Sequence, residues 1–223
     1  MVTEPEIRSP EEARDFLNKV RAIAQALGVS DANPEEGKLR ADVNVSVREP
    51  GAPFGTKVEI KNLNSFKAVQ HALEFEIKRQ SRLLEDGGKV RQETRGWDDG
   101  GQKTYLMRIK EGEADYRYMP DPDLPPMRID ENWLMRVRLS YPELPDAKFE
   151  RYAKRFKGMM PTSPLITALS QFFDAALASY QGKAQNLANW LNSDVVGLLN
   201  QQNLAFKTLA LRPEDLIALK HGR

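Results

Sequence analysis

Two short alternating segments carry the residue types best suited to chemistry. In the first, Asp42, Asn44, Ser46 and Arg48 alternate with Val43, Val45 and Val47. In the second, Lys57, Glu59 and Lys61 alternate with Val58 and Ile60. A period of two predicts strands with one apolar and one polar face. If the two strands pair, one sheet surface presents two carboxylates, an amide and several cations. Carboxylate and amide oxygens are ligands for a hard Mg²⁺ ion, and Lys or Arg beside them can neutralise the oxygens of a transferring phosphate. The same pattern also fits an antiparallel sheet that simply wets one face, and on the residues alone both readings stand.

A second set follows: Gln92-Glu93-Thr94-Arg95 with Trp97, then Arg108, then Asp115-Tyr116-Arg117-Tyr118. Charge mixed with aromatic rings can stack bases or contact phosphate, or it can stud an edge strand with cross-strand ion pairs. Other chemistries are excluded. The chain lacks a G-x-x-x-x-G-K-[ST] loop, a G-x-G-x-x-G turn and a G-x-S-x-G elbow. With no cysteine and only two histidines it has no thiol nucleophile, no cysteine-ligated metal and no His-rich metal site. His71, within a predicted helix, and His221, near the chain end, read as structural or surface residues.

The elements that must position these residues are legible from periodicity. Ser9-Pro10-Glu11-Glu12 opens a helix with a cap, a proline at the first helical position and a carboxylate three residues on. Ala13, Phe16, Leu17, Val20, Ile23 and Leu27 continue it as one apolar stripe to Gly28. The two alternating strands are separated by a hairpin loop over Glu49 to Gly55. Asn62-Leu63-Asn64-Ser65 leads into a second helix that closes at Asp86-Gly87-Gly88, and strands follow at about 90–97 and 103–109. Four prolines between Met119 and Pro126 make a stiff extended segment. Residues 133–139 fit a strand or a short helix. From Lys148 on the signals are helical, with helices predicted at 165–180, 184–199 and from Pro213. The predicted fold class is α+β with a mostly antiparallel sheet, followed by a small all-α domain, the two divided as residues 1–147 and 148–223.

Length and composition agree. At 223 residues, with about 150 residues per domain as a guide, the chain makes one large domain or one medium and one small. The apolar share of 40% and charged share of 29% are those of a globular protein, and no apolar run reaches membrane-spanning length. No signal peptide is read at the start, so a cytoplasmic location is expected. Net charge is +1 overall, but residues 148–223 hold 10 Lys/Arg against 5 Asp/Glu, an excess of +5 that suits a phosphate-bearing partner.

Several phrases occur in a distinctive order: Leu39-Arg40-Ala41-Asp42-Val43-Asn44-Val45-Ser46-Val47-Arg48, Glu59-Ile60-Lys61-Asn62-Leu63-Asn64-Ser65, Gln92-Glu93-Thr94-Arg95 and Asp115-Tyr116-Arg117-Tyr118-Met119-Pro120. Pro122-Asp123-Leu124-Pro125-Pro126, Leu144-Pro145 and Ala188-Asn189-Trp190-Leu191 continue the series. Together they resemble the GatB family, the B component of the aspartyl/glutamyl-tRNA amidotransferases, across essentially the whole chain. The resemblance implies a cradle-like kinase domain that uses ATP and Mg²⁺ to phosphorylate the side-chain carboxylate of Glu or Asp mischarged on tRNA, giving Glu-tRNA(Gln) or Asp-tRNA(Asn) an acyl phosphate. Ammonia from the partner amidase then displaces the phosphate, so the whole assembly is a carbon-nitrogen ligase with glutamine as amide donor. Implied partners are the amidase (GatA) and the small third component (GatC) in a heterotrimer, and the mischarged tRNA, which the helical region is expected to face.

Carried over residue by residue, the resemblance makes Glu59 and Asp42 the catalytic and metal-binding carboxylates. Asn44, Lys61, Asn62 and Asn64 become nucleotide, phosphate or tRNA-end contacts, with Arg95 and Arg108 as further cofactor-binding residues. The family pattern usually has Cys at the position of Ala41. The resemblance also implies that the sequence starts inside the cradle and stops early in the helical domain, so further metal ligands and zinc-binding cysteines are expected outside it. The alternative is a non-catalytic tRNA-binding or complex-assembly module that keeps the fold without a complete site.

Overall fold

The computed structural model describes residues 1–109, 120–156, 169–204, 206 and 211–221, with side chains as far as residue 218. The Asp115–Tyr118 phrase and the first residues of the helix predicted at 165–180 lie outside them. The chain divides into two compact units, residues 1–24 with 29–139, and residues 140–223 with 25–28.

The first unit is a four-stranded sheet with helices. Helix α1 spans Pro10–Ala26 and begins as the capping pattern requires: Ser9 Oγ accepts the Glu12 amide at 3.1 Å, while the Glu12 carboxylate accepts the Ser9 amide at 3.2 Å. Strands β1 (Val43–Val45), β2 (Val58–Lys61), β3 (Glu93–Asp98) and β4 (Lys103–Ile109) lie in the order β1-β2-β3-β4. β1 with β2 and β3 with β4 are antiparallel, but β2 and β3 run parallel. The sheet is therefore mixed. The physical reason is the connection: helix α2 (Phe66–Glu85) carries the chain back from the end of β2 to the start of β3, and such a crossover delivers the next strand in the same direction. Ser65 caps α2, its Oγ accepting the Ala68 amide at 3.0 Å.

Alternation in β2 decides the layers. Val58 and Ile60 are fully buried while Glu59 and Lys61 are half-buried, so one face packs on α2 and the other stays open. Ile60, Leu63, Val69, Ala72, Leu73 and Trp97 form the core, with Phe75 edge-on to Trp97 at 6.4 Å. Residues 133–139, open to a strand or helix reading, lie in helix α3 (Glu131–Leu139).

The described residues of the second unit form helices and no strand: α4 (Pro145–Arg155), α5 (Ser170–Ser179), α6 (Ala184–Trp190), α7 (Val196–Gln201) and α8 (Pro213–His221). Its core joins Tyr152, Phe173, Leu187, Leu191 and Leu216, with Tyr152 and Phe173 edge-to-face at 5.4 Å. The single helix predicted over 184–199 is interrupted by a π-helical turn at Leu191–Val195. Leu191, Val195 and Leu199 are buried at successive four-residue steps. Each step overshoots a 3.6-residue turn, and one widened turn keeps all three on the buried side.

Candidate functional site

The sheet register gathers Asn44, Glu59, Lys61 and Arg108 into two rows on the open face, whereas Ser46 and Arg48 lie beyond the end of β1 and Lys57 before the start of β2. Asn44 is opposite Glu59, Glu59 opposite Thr94, and Thr94 opposite Arg108. One step along, Lys61 is opposite Gly96, and Gly96 opposite Tyr105. Asp42, just before β1, joins the second row through its ion pair with Lys61. Each row crosses the whole sheet, which no single strand's sequence displays.

Lys61 is the hub. Its Nζ lies 3.0 Å from Asp42 Oδ2 and 3.4 Å from Glu59 Oε1. The Asp42 hydrogen bond leads in raising the Lys61 pKa above the ordinary lysine value, so the ammonium is held charged. Glu59 is gripped from its other oxygen: Thr94 Oγ1 donates to Glu59 Oε2 at 2.9 Å. Asp42, Asn44 and Arg108 reach the solvent side of this face. The face thus combines fixed carboxylates with cations, an arrangement able to meet a phosphate and its accompanying cation together.

Where the row reaches Tyr105, the open face leads into a cleft of about 510 Å³, whose lining includes Asn62, Asn64, Ser65, Asp98, Asp99 and Tyr105. It lies beyond the carboxyl ends of the parallel pair β2 and β3 and beside the first turn of α2, where open α/β arrangements present their ligand sites. Asn62 makes the sharp exit from β2 with φ +64°, a left-handed conformation that asparagine tolerates better than most side chains. From there its Nδ2 donates to the Tyr105 hydroxyl at 3.0 Å. A side chain at position 96 would collide with the Tyr105 ring, so Gly96 is what lets this ring lie across the sheet. Glu35, Asp98 and Asp99 make the lining acidic, with no Lys or Arg among its described residues. The cleft therefore favours hydrogen-bond donors and cations, while the cations suited to phosphate, Lys61 and Arg108, are in the sheet rows.

The structure does not bring Arg95 to this face. It pairs with Ile60, a core position, and points toward α2. There its guanidinium bonds Glu93 Oε1 at 2.9 Å, Thr104 Oγ1 at 2.8 Å and the Thr104 carbonyl at 3.0 Å, and lies 3.6 Å from Glu76 Oε2. Arg79 and Gln80 complete the same network around Glu76. Every donor of this arginine that the network engages is turned inward, so its surroundings are those of a structural ion pair. Thr94 and Tyr105 are the residues that sequence reasoning passed over. Thr94 stands inside a distinctive phrase, but only the β2–β3 register reveals that its hydroxyl meets Glu59.

The donor set can be weighed against Mg²⁺. Asp42 and Glu59 supply carboxylate oxygens and Asn44 an amide oxygen, yet among the described residues no group of three His, Cys, Asp or Glu is placed to hold a metal ion. A cage made wholly of protein is thus not present in them. An ion that arrives on phosphate oxygens needs only one or two carboxylates and keeps its remaining sites for water and phosphate, and to that the pair Asp42 and Glu59 fits. Among the described residues no helix is long and apolar enough to cross a membrane.

Residues 1–135 match the family described as the GatB/GatE catalytic domain. The chain is 54% identical to the B component of the aspartyl/glutamyl-tRNA(Asn/Gln) amidotransferase of Deinococcus radiodurans and 55% identical to that of Thermus thermophilus, over 98% of this chain and 47% of each relative. The corresponding Persephonella marina protein is 46% identical over the same shares. The chain thus spans about half the length of the curated relatives it matches. With more than half of its residues inside the catalytic-domain match and relatives above 50% identity, this chain belongs to the GatB family of aspartyl/glutamyl-tRNA amidotransferase components.

Proposed function

We propose that this chain supplies part of the phosphoryl-transfer site of a tRNA-dependent amidotransferase. The observation that carries the reading is the Asp42–Lys61–Glu59 cluster on the open face of a sheet within the catalytic-domain match. In the reaction, a side-chain carboxylate oxygen of Glu or Asp, esterified on its mischarged tRNA, attacks the γ-phosphorus of ATP. ADP departs and an acyl phosphate forms. Ammonia from the partner amidase then attacks the acyl carbon and inorganic phosphate leaves, which gives the amide. Activation is needed because a free carboxylate resists ammonia, whereas an acyl phosphate carries a good leaving group.

Each residue has a part in that scheme. Asp42 and Glu59 would hold Mg²⁺, with Asn44 alongside, and the ion when bound would offset charge on the phosphate oxygens. Lys61 and Arg108 would bind those oxygens directly, Lys61 as a point charge kept protonated by its two carboxylates. Asn62 and Asn64 would receive the aminoacyl end of the tRNA in the neighbouring cleft, whose acidic lining suits its α-ammonium group. The amidase GatA, the small component GatC and the basic helical unit facing tRNA complete the proposed assembly.

The test is made on the full-length protein in complex with its amidase partner, with Glu-tRNA(Gln) and Asp-tRNA(Asn) as substrates. Phosphate release from ATP that depends on mischarged tRNA is expected, and Glu59→Gln should reduce it at least about 100-fold. Full activity of that variant would overturn the assignment. Tight, salt-sensitive tRNA binding with no ATP turnover would instead favour the non-catalytic binding module.

A further inference from the structure

We propose that Thr94 is a positioning residue for Glu59, holding the carboxylate in the orientation in which it receives the nucleotide-borne cation. The inference rests on the reading above and goes beyond it by assigning a role to a side chain that touches neither phosphate nor metal.

Three observations support it. The first is direct: the Thr94 hydroxyl donates to Glu59 Oε2 at 2.9 Å, while Lys61 approaches the opposite oxygen, Oε1, at 3.4 Å. The carboxylate plane is thus defined from both ends. Second, Thr94 is only 2% exposed, so its hydroxyl is shielded from solvent competition and its β-branched side chain is confined by packing. Third, the strand that carries Thr94 is held by contacts other than the one to the Glu59 carboxylate. The flanking residues Glu93 and Arg95 point to the other face, where Arg95, Glu76, Arg79 and Thr104 lock them. The parallel β2–β3 pairing sets Thr94 opposite Glu59, and a register shift between Thr94 and Arg95 sets it opposite Arg108 as well. A hydroxyl fixed this firmly acts on Glu59 rather than following it. Outer groups that orient metal-binding carboxylates typically contribute about 10–100-fold to metal affinity or activity.

The test compares Thr94→Val, Thr94→Ser and Glu59→Gln in the full-length protein in complex with its amidase partner. Valine keeps the branched shape and removes the hydroxyl, whereas serine keeps the hydroxyl. Three quantities are measured: the thermal unfolding midpoint, the Mg²⁺ dependence of ADP binding, and the Mg²⁺ and ATP dependence of tRNA-stimulated phosphate release. Thr94→Val should weaken Mg²⁺-dependent ADP binding roughly 10-fold or more and raise the half-saturating Mg²⁺ by a similar factor. Its unfolding midpoint should stay near that of the parent, and Thr94→Ser should restore both functions to within about threefold. Parent-like Mg²⁺ dependence in Thr94→Val, or equal losses in the serine and valine variants, would overturn the inference. If Thr94→Val behaves as the parent while Glu59→Gln is inactive, only the role of Thr94 fails. If Glu59→Gln is fully active, the site reading fails, and the role of Thr94 fails with it.

Discussion

The two sides of one sheet meet the same residue types, closed into a network under α2 on one side and continued to solvent on the other. On the helix-covered face, Glu76 is fully buried and Glu93 and Arg95 nearly so, and the arginine's contacts all run back into the protein. On the open face, Glu59 is nearly as enclosed, at 16% against 13% for Arg95, but its partner Lys61 is 33% exposed and Asp42 54%, so the cluster reaches solvent through the ammonium and the second carboxylate. Desolvation explains the difference. A buried charge must satisfy its partners internally or the fold fails, so a network closed on itself is structural. A half-exposed cluster keeps the option of exchanging an internal partner for a ligand. Charge and residue type alone do not separate scaffold from site; the side of the sheet does.

The sharpest break of this contrast is Glu76→Ala. It leaves Arg95 and Arg79 sharing the single carboxylate of Glu93, and should cost roughly 3 kcal/mol or more of unfolding free energy, read by chemical denaturation. Next comes Glu59→Gln, whose loss of at least about 100-fold in phosphate transfer should be accompanied by an unfolding midpoint close to the parent's. The two arginines sharpen it further. Arg108→Ala should raise the KM for ATP or mischarged tRNA about tenfold with stability unchanged, while Arg95→Ala should lower stability before it changes any KM. The smallest effect is expected in the helical unit, where Arg151 clamps Glu143 and Asp174, each at 2.8 Å. Its hydrogen bond holds the Glu143 carboxyl below the usual glutamate value of 4.5. The folded state therefore binds that proton later than the unfolded state as pH falls. The contribution is complete above the ordinary glutamate value and is lost as pH drops through the lower folded value, by no more than about 1 kcal/mol for so exposed a pair. A denaturation series across roughly pH 3–6 with Arg151→Ala as control should show the parent's excess stability fading toward the acid end.

Much of the first unit is readable from local pattern. Period-two alternation at Val43–Val45 and Val58–Ile60, the Ser9 cap and the glycines after α2 mark out elements that the structure contains, although β1 ends at Val45 and the alternation through Arg48 runs past it. Those signals are local, and local signals survive translation into three dimensions. The strand direction between β2 and β3 is not readable in the same way, because it depends on how α2 packs rather than on the strands' own pattern. The π-helical turn at 191–195 also escapes the 3.6-residue template, since its cause is the shared burial of Leu191, Val195 and Leu199.

The candidate site divides along the same line. Asp42, Asn44, Glu59 and Lys61 could be chosen from alternation, and their common face followed from pairing two adjacent strands. Arg95 and Thr94 are neighbours in one phrase, and nothing in the sequence says which of them looks at Glu59. Sequence by itself determined which residues alternate, where helices begin and which charges are available, because those properties act between neighbours along the chain. Only the tertiary structure decided which charges are closed into the scaffold and which stay open, because burial is set by the crossover of α2 and the register of β2 on β3, interactions between segments 35 residues apart.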